Sequence, residues 1–75
     1  MTGLPILKPR DVVRAFENLG WVIARQKGSH IILTKDGHIA SLSIPIHDQV
    51  ARGTLRSLIA KAGLTIDEFI KASKH

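Results

Sequence analysis

WVIARQKGSHIILTKDGHIASLSI, residues 21–44, is a run of β-branched and apolar residues interrupted twice by a cation or carboxylate followed by glycine. Three strand-like pieces are separable within it: WVIARQ, SHIILT and HIASLSI, with KG and DG between them. Short apolar runs bounded by glycine turns favour antiparallel hairpins. The stretch therefore predicts a three-stranded antiparallel meander.

The flanks have a different period. Pro9 stands where a first helical turn tolerates proline, and Val12, Val13, Phe16 and Leu19 recur at helical spacing until Gly20 offers a cap. Residues 9–19 read as an amphipathic helix whose other face carries Arg10, Arg14 and Glu17. Residues 52–62 repeat the pattern with Leu55, Leu58, Ile59 and Ala62, and Gly63 is the stop. Thr65 and Glu68 then have capping-box spacing ahead of Ile66, Phe69 and Ile70, which predicts one more short helix. The expected order is helix, three strands, helix, short helix. This is an α+β sandwich with both main helices on one sheet face. The 75 residues form a single domain, 1–75, with one modest core.

Strand parity fixes which side chains share a face. With Asp36 and Gly37 as a two-residue turn, Leu33 opposes Ala40, Ile31 opposes Leu42 and His30 opposes Ser43. With Lys27 and Gly28 as the first turn, Arg25 opposes His30, Ala24 opposes Ile31 and Val22 opposes Leu33. The apolar pairs coincide, so they define the core side. Arg25, His30 and Ser43 are then expected as cross-strand neighbours on the helix-free face, together with Ile32, Ile23 and Trp21. Such an apolar patch needs a cover, either the last helix or a partner protein.

Eleven Lys plus Arg stand against six Asp plus Glu, a net charge of +5. That excess fits a polyanionic partner such as nucleic acid. There is no cysteine, so disulfides and thiolate metal sites are excluded, and the usage fits a reducing cytosol. No apolar run approaches the roughly 18 residues that span a bilayer. The expected protein is soluble and cytoplasmic, with no membrane partner.

An imidazole can give or take a proton at neutral pH. RNA supplies its own nucleophile, the 2′-hydroxyl, so His30 could serve as general base or acid without a metal, a cofactor or a protein nucleophile. Arg25 and Lys27 could hold the phosphate, and Gly28 would let backbone approach closely. Ser29 reads as a hydrogen-bonding or turn residue. Lys8, Arg10, Arg14, Arg52, Arg56 and Lys61 are further phosphate contacts or solvated helix residues. With Phe16 and Phe69 assigned to the core, Trp21 is the remaining aromatic, which gives little support to base stacking. His38 beside the DG turn and the terminal His75 read as surface groups. His47, beyond Ile44, Pro45 and Ile46, has the parity of the His30 face. Histidines 30, 38 and 47, eight and nine apart without cysteine, do not resemble a zinc site.

Three segments, LPILKPRDVVRAFENLGW, RQKGSHIIL and IPIHDQVARGTLRSLIAKAGLTIDEF, taken together resemble the HicA toxins, YcfA-like mRNA interferases, over nearly the whole chain. The resemblance rests on the GSH strand entry, the P-x-H segment and GTLR followed by AGL. It implies a double-stranded-RNA-binding-domain-like fold, α-β-β-β-α. It also implies the toxin of a type II toxin–antitoxin system, a metal-independent endoribonuclease that cuts mRNA and is neutralised by a HicB-type antitoxin. The family's catalytic histidine falls on His30, within Gly28, Ser29 and His30. Many members have a second histidine directly after it, where this chain has Ile31. Parity puts residue 31 in the core.

The combined expectation is a toxin ribonuclease with His30 as the catalytic residue. Arg25, Lys27, Gly28, Ser29, Ser43 and His47 are the RNA-contacting candidates, and an antitoxin covers His30. The alternative is a non-catalytic RNA-binding module of the same fold; a third reading is an interaction protein whose basic charge serves only an acidic partner.

Overall fold

In a computed structural model that describes residues 3–74, the order is α1 (Pro9–Asn18), β1 (Val22–Lys27), β2 (His30–Thr34), β3 (Leu42–Pro45), α2 (Arg52–Lys61) and α3 (Ile66–Ser73). It is an α-β-β-β-α arrangement with one more short helix. The sheet is antiparallel in the order β1-β2-β3. His75 lies outside the described residues.

α1 starts on Pro9, which gives up no needed N–H there, with Asp11 in the first turn against the helix dipole. It ends where Gly20 takes φ +98°, a conformation that suits glycine. Its apolar stripe, Val12, Val13, Ala15 and Phe16, is buried. α1 lies across β1 and β3, α2 lies on β3, and α3 packs on α1 and α2 without reaching the sheet. The core gathers Leu33, Leu42 and Ile44 from the sheet, Leu55, Leu58 and Ile59 from α2, and Phe69 from α3. Phe16 joins the layers, with its ring 5.1 Å from that of Phe69 and 6.3 Å from that of Trp21. The last helix therefore does not cover the His30 face, contrary to one of the two covers expected for it.

The registers differ from the sequence expectation in three ways. First, the β1–β2 loop is Gly28–Ser29, so Lys27 opposes His30 and Arg25 opposes Ile32. Gly28 has φ +58° and no non-glycine residue has positive φ among the described residues. A two-residue hairpin loop needs positive φ at its first position, and a loop begun at Lys27 would force it on a lysine. Second, a bulge lies between Ile23 and Arg25. It reverses parity along the first part of β1, so Ile23 opposes Leu33 and Trp21 turns into the core, 2% exposed. Burying that indole is worth about 1.5–3 kcal/mol or more, enough to justify a lost ladder position.

Third, β3 begins at Leu42 rather than at residue 38. Its pairs are His30 with Pro45, Ile31 with Ile44, Ile32 with Ser43 and Leu33 with Leu42. The His38 N–H still bonds the Lys35 carbonyl at 3.0 Å, closing the turn around Asp36 and Gly37. Residues 38–41 then leave the ladder, and His38 packs against Trp21 with ring centroids 4.9 Å apart, the planes tilted by 56°, and a buried Nδ1. It is not a plain surface group. The slip is two residues, so parity survives and Ile44 is buried beside Ile31.

α3 carries the expected capping box. The Thr65 N–H donates to Glu68 Oε1 at 2.8 Å, and the Glu68 N–H donates to Thr65 Oγ1 at 3.1 Å. These bonds hold the Glu68 carboxyl below its ordinary pKa. A depressed folded-state pKa adds stability above the ordinary carboxylate range and loses it as pH falls through the folded value. Thr65→Ala is expected to cost about 1 kcal/mol, lowering Tm by about 4–8 °C. Glu68→Gln is expected to flatten the acid limb of stability against pH. Thermal melts followed by circular dichroism across the acid range check both.

Candidate functional site

The β1–β2 hairpin ends in Gly28 and Ser29, and every residue of β1 is exposed. Pairing and alternation sort the hairpin's side chains into two sets. Val22, Arg25 and Lys27 of β1, His30, Ile32 and Thr34 of β2, and Ser43 and Pro45 of β3 share the helix-free face. Ile31, Leu33, Leu42 and Ile44 face the helices. Ile31 is partly buried against the core, as parity requires.

His30 opens β2 next to the turn, in a row running Lys27, His30, Pro45. Arg25, Ile32 and Ser43 form the next row. Lys27 is thus directly opposite His30, with Cβ atoms about 5 Å apart, while Arg25 and Ser43 are diagonal at about 7–8 Å. Both cations reach the space above the imidazole, since a lysine or arginine side chain spans that distance. The face expected for Arg25, His30 and Ser43 is correct, but their direct opposition is not. Lys27 and Pro45 hold those positions.

Pro45 is a neighbour of His30 that parity with the wrong register missed. The Ile46 N–H donates to the Ser29 carbonyl at 2.7 Å. Alternation then makes His30 and Pro45 a pair without ladder bonds, where proline costs the sheet nothing and the Cα atoms are closest, about 4.5 Å. A half-buried proline ring therefore walls one side of the exposed imidazole. The same bond explains Ser29: it is a turn residue whose carbonyl ties the hairpin tip to the segment after β3. The Gly-Ser dipeptide was the signal for the correct loop, since Gly followed by Ser suits a two-residue hairpin better than Lys followed by Gly.

His47 lies two residues past the end of β3 and is exposed. It belongs to the segment leading to Val50, whose N–H donates to the Leu7 carbonyl at 2.8 Å. Gly28 is exposed, and a Cβ added there would meet nothing within 4 Å. Its positive φ, rather than a close approach, is what requires glycine.

The other cations gather on the helices. Arg10 and Arg14 flank Asp11 around a shallow hollow of about 320 Å³ on α1. Arg52 and Arg56 line a larger one of about 570 Å³ with Gly3, Leu4 and Gly53. The Arg52 Nε donates to the Leu4 carbonyl at 2.8 Å, so part of its role is to tie the N-terminal segment to α2. Neither hollow includes His30. The imidazole stands on an open surface, which suits an extended polymer rather than an enclosed small molecule.

A family model described as the HicA toxin of bacterial toxin–antitoxin matches residues 9–64, from the first helical residue to the turn before α3. No curated protein matches the chain. Among the described residues, no helix is long and apolar enough to cross a membrane.

Proposed function

The chain belongs to the HicA toxin family of bacterial toxin–antitoxin systems, and on that premise we propose that it is an endoribonuclease that cuts mRNA in the cytoplasm. The observation that carries the reading is the row on the helix-free face: His30 directly opposite Lys27, with Arg25 on the diagonal.

A phosphodiester lying over that row would meet two cations and one proton-transfer group. Lys27 and Arg25 hold the phosphate and offset charge that develops on its non-bridging oxygens. The 2′-oxygen attacks the adjacent phosphorus, the P–O5′ bond breaks, and the products are a 2′,3′-cyclic phosphate and a 5′-hydroxyl. One proton leaves the 2′-hydroxyl and one reaches the 5′-oxygen. His30 carries one of these transfers and water carries the other. The nucleophile comes from the substrate, so the mechanism calls on no metal or cofactor. Ser43 and His47 contact the strand beyond the scissile bond, and Gly28 and Ser29 present backbone at the hairpin tip. A HicB-type antitoxin neutralises the toxin by covering His30.

Incubation of purified protein with single-stranded mRNA in EDTA tests this. Fragments ending in cyclic phosphate are expected, and a 2′-deoxy substitution at the cut site should stop the cut there. Retention of intact RNA in a gel shift would instead make the chain a binding module. Binding itself should weaken with salt. Lys27→Ala and Arg25→Ala are each expected to reduce the slope of log K against log salt by about 1, because each removes one phosphate contact. A titration followed by anisotropy at several salt concentrations reads this.

A further inference from the structure

We infer that the free edge of β1 is the docking site for an extended strand of the antitoxin, one that carries carboxylates beside Lys27 and Arg25. β1 is the outermost strand of the sheet, and all six of its residues are exposed. Ladder alternation identifies the free groups. Lys27 and His30 close the two-residue loop and exchange bonds with each other, so the N–H and C=O of Gln26 point away from β2 to the open edge. Such an edge pairs readily with an added strand.

Charge selects the occupant. A strand added at the edge would lie about 4.8 Å beyond β1, with alternate side chains on the His30 face beside Lys27 and Arg25. Acidic side chains complement that end. At the other end Val22 is 58% exposed and Ile23 51%, on opposite faces, which suits apolar partners. A second copy of this chain fits poorly. In parallel pairing Arg25 and Lys27 would face their own copies, and in antiparallel pairing they would lie beside Val22 and Ile23. The bulge after Ile23 breaks the edge further against self-pairing. The antitoxin is the partner that family membership supplies.

The functional consequence rests on the proposed ribonuclease reading. Carboxylates set against Lys27 and Arg25 would occupy the groups that hold the phosphate, blocking RNA even where the imidazole itself is untouched. The docking itself does not depend on catalysis, so it is tested without RNA. Amide exchange on the free toxin and on its complex with the cognate antitoxin is the first measurement. The Gln26 N–H should exchange fast in the free chain and become protected in the complex. Gln26→Pro removes that outward donor, at a position where an edge strand accepts proline, together with the side-chain bond from Gln26 Nε2 to the Gly28 carbonyl at 3.4 Å, which Gln26→Ala removes alone. It is expected to weaken the complex about tenfold or more, while Gln26→Ala binds as the parent does. Unprotected Gln26 in the complex overturns the inference, and so does protection already present in a free chain that sediments as a dimer. If the proline variant does not fold, the exchange measurement on the parent decides alone. Loss of RNA cleavage with docking intact would count against the ribonuclease reading only.

Discussion

His30→Ala is expected to lower RNA cleavage by about 100- to 10,000-fold, the range that one positioned proton-transfer group contributes. The protein should otherwise be unchanged. His30 is exposed at the start of β2 and, among the described residues, no side-chain hydrogen bond holds its ring. Surface replacements of this kind shift stability by about 0.5 kcal/mol or less, a Tm change of roughly 2–4 °C. RNA affinity should fall only slightly, because Lys27 and Arg25 remain opposite and diagonal to the vacated position. The combination of lost cleavage, retained binding and retained melting separates a catalytic imidazole from one that merely contacts RNA. Cleavage rates on a labelled transcript, with anisotropy and thermal melts on the same preparations, provide the three readouts. Full activity in the variant would remove His30 from the mechanism.

The elements were legible in the sequence because each is set by local chemistry: Pro9 and Gly20 around α1, the capping box at Thr65, glycines at both hairpin turns. The face that His30 occupies was legible as well, since both register errors at the hairpins were slips of two residues and the side-chain period is two. What parity could not supply was the bulge after Ile23. It exists because Trp21 gains more by entering the core against Phe16 and His38 than β1 loses in one ladder position. That balance is tertiary. A reader of the sequence alone puts Trp21 and Ile23 on the His30 face, and makes that face more apolar than it is. The same limit applied to His38. Its neighbour in the fold is Trp21, seventeen positions earlier, and the irregular residues 38–41 that bring them together look in sequence like the start of a strand. At the candidate site the sequence supplied the residues but not their pairing, because a loop of Lys27 and Gly28 and a loop of Gly28 and Ser29 differ only in which residue takes positive φ.

The second large effect is expected in the core, at a residue far from any chemistry. Phe16 is fully buried and its ring is the one contact on α1 that meets aromatics from both the sheet side and α3. Phe16→Ala removes that ring from a region with no solvent to refill it, and such truncations cost about 3–5 kcal/mol. Stability of about 0.05–0.15 kcal/mol per residue gives this 75-residue chain only about 4–11 kcal/mol in all. The variant should therefore lose a large share of its stability, with Tm lower by roughly 12–40 °C. Phe16→Leu keeps most of the volume and should cost less than half as much. Ile39→Ser, at a fully exposed apolar position, should change almost nothing. Urea unfolding at fixed temperature gives the three values on one scale. Activity separates this variant from the one at His30: a Phe16 replacement lowers cleavage only through the unfolded fraction, so the rate per folded molecule should stay at the parent value. Proportional loss of rate in fully folded Phe16→Ala would instead mean that α1 packing sets the position of the hairpin, and with it the distance between Lys27 and His30.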